Sequence, residues 1–279
     1  MIIGVRAHDY GKELPTKLFS AIANDGWKTV QLAFPKAIEG VDSFDDVTPE
    51  IITETKKAME LNDISIAVLG VYVDPALTDN IKRKEQVRLL HQSLPYAMLL
   101  GAGCVGTETS TRNEHADIKA LYRSLEELLP EAERLKVNIG IEPVHKHTLH
   151  TPELTKQMLN DFTSPNLKII FDPINLLTPD LIDTQNDLWK KCIDSFGSHI
   201  AAIHMKGATG EVDNNGMLAN APLASSILDH KALFNCLKYI NAPILREAAE
   251  PANAADDIAF IQKCIEKYGE KTAPVHHPI

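Results

Sequence analysis

Cysteine is scarce in this sequence, and its four copies lie far apart, at positions 104, 192, 236 and 264. No two of them form a C-x-x-C pair, so their spacing favours neither a disulfide scaffold nor a cysteine-based zinc site. A chain of 279 residues with 44% hydrophobic content can bury a sizeable core without cross-links. We therefore expect all four cysteines to be reduced core residues.

Long apolar runs and basic runs are also missing. No stretch of 18 apolar residues occurs, and Met1 is not followed by the basic and apolar segments of a secretory signal. We therefore expect a cytoplasmic protein with no membrane partner. The net charge of −10 and the lack of any Lys/Arg-rich run would repel a nucleic acid backbone. A small molecule is the better partner, and a homodimer stays an open alternative.

Glycine-rich phosphate-binding motifs are absent, which removes the main sequence argument for a dinucleotide fold or a P-loop. Instead, eight short apolar runs alternate with helical patterns. These candidate strands begin near residues 2, 28, 64, 103, 137, 166, 199 and 242, about 34 residues apart, as in repeated β-loop-α-loop units. Eight such units predict an α/β fold, a (β/α)8 TIM barrel. We expect one domain over residues 1–279, with a loosely attached tail from about residue 269.

Four consecutive predicted strands end in a residue that can bind a metal or move a proton. The fifth and sixth runs end in Glu142-Pro143 and Asp172-Pro173, and the seventh and eighth carry His204 and Glu247. A proline directly after the acid stops strand pairing, so each acid should stand at the carboxyl end of its strand. In a closed barrel these ends share one rim, where the active sites of such barrels lie.

Three carboxylates and one imidazole at one rim would need a cation to balance their charge. Oxygen and nitrogen donors without thiolates favour a divalent ion, Mn²⁺ or Mg²⁺, with Co²⁺ or Zn²⁺ as alternatives. For any single acid, the simpler interpretation is a solvated loop residue or a helix cap. The placement of four such residues at matched strand ends favours the metal site.

The sequence around these residues resembles the xylose isomerase-like barrels, which include sugar and sugar-phosphate isomerases and epimerases, keto-inositol dehydratase and endonuclease IV. The resemblance covers most of the chain, from Ile-Gly-Ile-Glu142-Pro to Pro-Ile-Leu-Arg-Glu247, and it includes the segments ending at Asn175 and Lys206. It implies that Glu142, Asp172, His204 and Glu247 hold the metal. It also implies that Glu142 and Glu247 flank the substrate carbon and act as the acid/base pair.

The function that this resemblance implies is a metal-dependent isomerase or epimerase of a small keto sugar or sugar phosphate. A carboxylate removes a proton next to the carbonyl, and the metal stabilises the resulting enediolate. A keto-polyol (inosose-type) dehydratase and a non-catalytic sugar-binding barrel are the alternatives. An abasic-site endonuclease is disfavoured, because it needs more histidine ligands and a basic surface.

Three positions depart from the family pattern. The family often has a histidine three residues beyond the sixth-strand aspartate, where this chain has Asn175. An Asp-Arg pair commonly follows the seventh-strand motif, where Gly207-Ala208 stands here, and Gln31-Leu32 replaces a frequent Glu-Leu. We therefore expect substrate contacts that differ from those of the better-known epimerases.

Several residues near the predicted rim are candidates for binding substrate. His145, His147 and His150 follow Glu142 and could bind a phosphate or a second metal, or could belong to an ordinary polar loop. Lys206 should face the rim beside His204, where it could bind an oxyanion or form a salt bridge with an acid. Glu250 competes with Glu247 for the eighth-strand role, and His276 and His277 fall in the expected tail. The substrate-binding set is predicted as His145, Asn175, Lys206, Arg6, His8 and Glu108.

Overall fold

Eight parallel strands close into a barrel in the computed structural model, which describes residues 1–269. The closed order is β1-β10-β7-β6-β5-β4-β3-β2, so each barrel strand pairs with its neighbour in sequence, and β1 pairs with β10 to close the ring. This confirms the predicted TIM barrel. The barrel strands are β1 (Ile3–Arg6), β2 (Thr29–Leu32), β3 (Ser65–Gly70), β4 (Cys104–Glu108), β5 (Ile139–Glu142), β6 (Leu167–Phe171), β7 (Ile200–Met205) and β10 (Ile244–Arg246).

Helices between the strands form the outer layer. Two of them have a proline in the first turn, a position that favours a helix start, and the side chains of Thr48 and Thr151 cap them. Pro95 does not interrupt its helix, which continues to Leu100. The helices are α1 (Pro15–Asn24), α2 (Phe34–Ala37), α3 (Pro49–Asn62), α4 (Asn80–Leu100), α5 (Ile118–Leu135), α6 (Pro152–Asp161), α7 (Pro173–Leu176), α8 (Gln185–Phe196), α9 (His230–Leu237) and α10 (Ala254–Tyr268).

The interior of the barrel is filled by small and medium apolar side chains, including Val68, Cys104, Ile170 and Leu245. Space there is tight: a Cβ atom on Gly106 would lie 2.4 Å from Val68 Cγ1 and 2.7 Å from Ile170 Cδ1. A much larger apolar cluster fills the space between sheet and helices. The barrel is therefore a packed core, and its polar site lies at the strand ends. All four cysteines are free, as expected.

The structure corrects three element predictions. The glycine- and asparagine-rich segment after Lys206 predicts a long loop, but it forms a hairpin of β8 (Gly207–Val212) and β9 (Leu218–Ala221). The Thr178-Pro179 start signal predicts a helix to about Phe196, but the segment begins with a 3-10 turn, Pro179–Thr184, and becomes α-helical at Gln185. The apolar run from Ile64 predicts a third strand to Val73, but β3 ends at Gly70. The predicted tail beyond residue 269, with His276 and His277, lies outside the described residues.

None of the helices formed by residues 1–269 combines the length and the apolar character needed to cross a membrane. The parallel order of the barrel strands brings all eight carboxyl ends to one edge. That edge carries Glu142, Asp172, His204 and Glu247. The fold thus gathers the four predicted ligands on one side of the molecule.

Candidate active site

The four predicted ligands come from adjacent strands of the barrel, β5, β6, β7 and β10. Glu142 is the last residue of β5, and Glu247 directly follows β10. Asp172 directly follows β6 and caps α7, with its Oδ1 accepting from the backbone nitrogens of Ile174 and Asn175. Each of the four side chains is buried, which is unusual for charged residues and favours a partner of opposite charge.

His204 stands between the two glutamates. Its Nδ1 atom lies 3.3 Å from Glu142 Oε2 and also 3.3 Å from Glu247 Oε1. One donor atom each from Glu142, Asp172 and His204 lies within 4.8 Å of the others. Glu247 is outside that group of three, but it joins the site through its contact with His204. The structure therefore brings all four predicted residues together.

A second set of contacts links Lys206 and Asn175 to the acids. Lys206 Nζ lies 2.9 Å from Asp172 Oδ2 and donates a 2.6 Å hydrogen bond to Asn175 Oδ1. Asn175 Nδ2 in turn donates to Glu142 Oε1. The amide of Asn175 thus accepts from Lys206 and donates to Glu142, which fixes both groups. The salt bridge to an acid, left open for Lys206 by the sequence, is present.

Arg6 and His8 lie at the end of β1, the strand next to β10. Arg6 forms a 2.7 Å ion pair with Asp9 and lies 3.7 Å from Glu247 Oε1. Asp9 also accepts from the backbone nitrogen of Ala249, so it connects the ends of β1 and β10. Burial, with the charge of Arg6, lowers the pKa of His8 to about 4, so its imidazole is neutral at pH 7.

The histidines after Glu142 take different positions. His147 Nδ1 lies 3.6 Å from Glu108 Oε2, so both of these residues face the same space. His145 Nδ1 lies 3.1 Å from the backbone oxygen of Asn175, and His150 Nδ1 lies 3.0 Å from that of Thr148. His145 is thus at the rim beside Asn175, while the ring of His150 is bound within its own loop.

The charges in the site perturb one another strongly. Burial opposes a positive charge on His204, but Glu247 and Glu142 outweigh it and raise the pKa of His204 to about 9. Burial would also raise the pKa of Glu247, but His204, Lys206 and Arg6 lower it to about 2. Burial and the charges of Glu142 and Glu247 raise the pKa of Glu108 to about 7. Such opposed shifts in one cleft are typical of functional sites.

The donor set fits a divalent metal ion. Both ring nitrogens of His204 are buried and have no hydrogen-bond partner among the described residues. Neighbouring ligand atoms that each lie ~2.1 Å from one ion are about 3 Å apart. The two distances of 3.3 Å from His204 Nδ1 to the glutamate oxygens are close to that separation. Oxygen and imidazole donors suit Mg²⁺, Mn²⁺ or Zn²⁺. Glu142, Asp172 and His204 could therefore hold a metal ion.

Sequence reasoning missed several residues around the site. Tyr72, just beyond β3, accepts a 2.7 Å hydrogen bond from Gln31 Nε2 and contacts the ring of His8 edge-on. Arg246 is buried, pairs with Asp257 at 2.7 Å and donates to the backbone oxygen of Glu247. The available sequence signal for Arg246 was its position as a charged residue inside the alternating pattern of a short strand.

Comparison with known proteins now identifies the family. Residues 19–264 match the family model described as xylose isomerase-like TIM barrel. The chain therefore belongs to this family, as its resemblance implied. Comparison with curated proteins gave no match.

Solved structures share the fold over nearly the whole chain. A D-tagatose 3-epimerase-like protein superposes with a TM-score of 0.78 at 18% identity, covering 98% of this chain and 100% of that one. The apo form of 3-keto-D-glucoside 4-epimerase from E. coli gives 0.71 at 18% identity, covering 95% and 100%. A xylose isomerase-like barrel protein from Mycobacterium smegmatis, in complex with magnesium, gives 0.72 at 12% identity, covering 96% and 98%. At these identities the likeness establishes the fold.

Proposed function

We propose that this protein is a metal-dependent isomerase or epimerase of a small keto sugar. The observation that carries the proposal is the position of His204 Nδ1, 3.3 Å from a carboxylate oxygen of both Glu142 and Glu247. Two carboxylates on either side of one metal-ligating imidazole provide a base and an acid at a single centre. The names of structural neighbours, among them a 3-keto-D-glucoside 4-epimerase and an L-ribulose 3-epimerase, support the same chemistry.

The residues of the site have separate roles in the proposed reaction. Glu142, Asp172, His204 and Glu247 would hold the ion, which supplies positive charge to the substrate carbonyl oxygen and its neighbouring hydroxyl. One of the two glutamates accepts the proton from the carbon next to the carbonyl, and the electron pair of that bond moves toward the carbonyl oxygen. Lys206 and Asn175 fix the carboxylates of Asp172 and Glu142.

The product depends on where a proton returns. Delivery to the same carbon by the opposite glutamate inverts that carbon and gives an epimer. Delivery to the adjacent carbon gives the aldose-ketose isomer. Because Glu142 and Glu247 lie at the ends of β5 and β10, with β6 and β7 between them, a sugar bound at the centre can be reached from two sides.

Product analysis tests this proposal. The purified protein, supplied with Mn²⁺ or Mg²⁺, is incubated in D2O with a panel of ketoses that includes an inosose, and the products are followed by NMR. We expect an epimer or isomer that carries deuterium at the reacting carbon. Water-loss products alone would replace the proposal with a keto-polyol dehydratase. Ligand binding without any exchange would replace it with a sugar-binding barrel.

A matched pair of variants separates this activity from contamination. Glu142→Gln keeps the size of the side chain but removes a carboxylate from the site, so we expect no turnover. Glu133→Gln makes the same change on an exposed residue of α5 and should leave turnover unchanged. Equal activity of both variants would contradict the assignment of Glu142.

A further inference from the structure

A cavity of about 350 Å³ opens at the ends of β3 and β4, beside the four proposed ligands. Glu108 connects the two regions, because it pairs in register with Glu142 and also lines the cavity. This volume lies within the range of small-ligand sites. The polar residues that line the cavity are Tyr72, Asp74, Gln86, Glu108, Thr109, Ser110, Thr111 and His147.

Hydrogen bonds between loops hold the outer wall of the cavity. The loops after β4 and β5 are joined by a bridge between Thr111 and His147 and by a hydrogen bond from Thr148 N to the backbone oxygen of Ser110. Asp74 is held as well, since its Oδ1 accepts from the backbone nitrogen of Ala76 and its Oδ2 accepts from Ser110 Oγ. A rigid polar wall is suited to recognising hydroxyl groups at fixed positions.

The charge of the cavity is negative. Its lining contains two acidic side chains, Asp74 and Glu108, and neither lysine nor arginine is found among the described residues that line it. Burial lowers the pKa of His147, so its imidazole is neutral at pH 7 and adds no positive charge. A phosphate dianion is bound through cationic donors such as arginine, and carboxylates repel it.

Four cations near the site have partners within the protein. Lys206 is paired with Asp172, and Arg6 is paired with Asp9. The ammonium of Lys36 lies 3.5 Å from the centre of the Tyr72 ring, in a cation–π contact. Lys146, on the loop after β5, donates to the backbone oxygen of Asn215. A phosphate in the cavity would compete with these contacts for the cations.

Neutral polar atoms without a partner lie beside the cavity. His8 Nδ1, Gln31 Oε1 and His147 Nδ1 are buried and have no hydrogen-bond partner among residues 1–269. Gln31 and His8 both contact Tyr72, and His147 lines the cavity with it. Buried polar atoms need partners, and the hydroxyl groups of a sugar can both donate to and accept from such atoms.

We propose that this cavity is a subsite for an uncharged, hydroxyl-rich part of the substrate, so that the protein takes neutral keto sugars or their glycosides and rejects phosphorylated ones. This inference rests on the proposed function, whose site it extends. Glu108 acts in it as a specificity-determining residue. Its carboxyl group can accept hydrogen bonds from sugar hydroxyls, and it offers a phosphate no cationic donor.

Equilibrium binding tests the inference without requiring turnover. The Mg²⁺-loaded protein is titrated calorimetrically with the four 2-ketohexoses and with their 6-phosphates. We expect at least one neutral ketohexose to bind at least tenfold more tightly than its phosphate. Equal or tighter binding of the phosphates, or no binding by any of the eight compounds, would overturn the subsite.

Charge reversal at Glu108 gives a second test. Glu108→Lys should shift the ratio of neutral to phosphorylated affinity at least tenfold toward the phosphate. Glu114→Lys makes the same change on an exposed residue of the loop after β4, and it should shift that ratio less than twofold. Equal shifts in both variants would assign the effect to overall charge and overturn the inference. If Glu108→Lys does not fold, Glu108→Gln should still reduce the ratio, and an unchanged ratio would overturn the inference.

The two proposals fail in different ways. Binding of a neutral ketose without deuterium exchange would reject the proposed function and keep the subsite. Exchange that occurs only with phosphorylated ketoses would keep the proposed function and reject the subsite.

Discussion

Replacement of Lys206 by methionine should strengthen metal binding. The ammonium of Lys206 lies 2.9 Å from Asp172 Oδ2, a predicted metal ligand, and is only 15% exposed. It therefore competes with a metal ion for the same carboxylate oxygen. Methionine keeps the apolar length of the side chain and removes the charge, so the acids would keep their full attraction for the ion.

The magnitude follows from Coulomb's law. An ion about 2.1 Å from Asp172 Oδ2 would lie no more than about 5 Å from the ammonium in its present position. A doubly charged ion and a singly charged ammonium at that separation repel by about 7 kcal/mol at an effective dielectric constant near 20. Lysine is flexible and can move away, which reduces the net cost. We expect the Kd for Mn²⁺ to fall at least tenfold, equivalent to about 1.4 kcal/mol.

Calorimetric titration of the metal-free protein with Mn²⁺ measures this change in Kd. Lys57→Met is the matched control, because it removes the same charge from an exposed position on α3. Its Kd should remain within twofold of that of the unchanged protein. An unchanged or weaker affinity in Lys206→Met would refute the competition between the ammonium and the metal.

Three further predictions concern metal linkage, a buried ion pair and packing. Addition of Mn²⁺ at 100 times its Kd should stabilise the protein by about 2.7 kcal/mol and raise its Tm. The Asp172→Asn variant should lose most of that rise in Tm. An equal rise in both proteins would contradict the assignment of Asp172 as a metal ligand. Arg246→Met leaves Asp257 buried without its partner and should lower the urea unfolding free energy by about 3–5 kcal/mol. Arg88→Met breaks an exposed pair and should cost at most about 1 kcal/mol, so equal losses would be inconsistent with this account. Gly106→Ala should cost about 1–3 kcal/mol of unfolding free energy because its Cβ would meet Val68 and Ile170, whereas Gly210→Ala, with 3.8 Å of clearance, should cost less; the reverse order would count against the packing argument.

The sequence was sufficient to predict the barrel and the positions of the four central side chains. Apolar runs repeated at nearly constant intervals, and Glu142 and Asp172 each preceded a proline that ends strand pairing. Because all barrel strands are parallel, the end of each strand fixes the location of its last side chain. The meeting of Glu142, Asp172, His204 and Glu247 therefore follows from local pattern and topology together.

Contacts between distant residues could not be predicted in the same way. The bridge made by Asn175 joins residues 33 and 31 positions away, and no local pattern specifies such a contact. The β8–β9 hairpin was missed because its strands lack alternating apolar residues. Its Asn215-Gly216 turn was the available signal, and Gly216 has the positive φ of 71° that such turns favour.

Deuterium exchange at the substrate carbon tests the central claim most directly. With the metal restored and a ketose substrate in D2O, the unchanged protein should exchange the proton next to the carbonyl. Glu142→Gln and Glu247→Gln should each abolish that exchange while the sugar still binds. Exchange that persists at its full rate in both variants would contradict the assignment of these carboxylates as the acid/base pair.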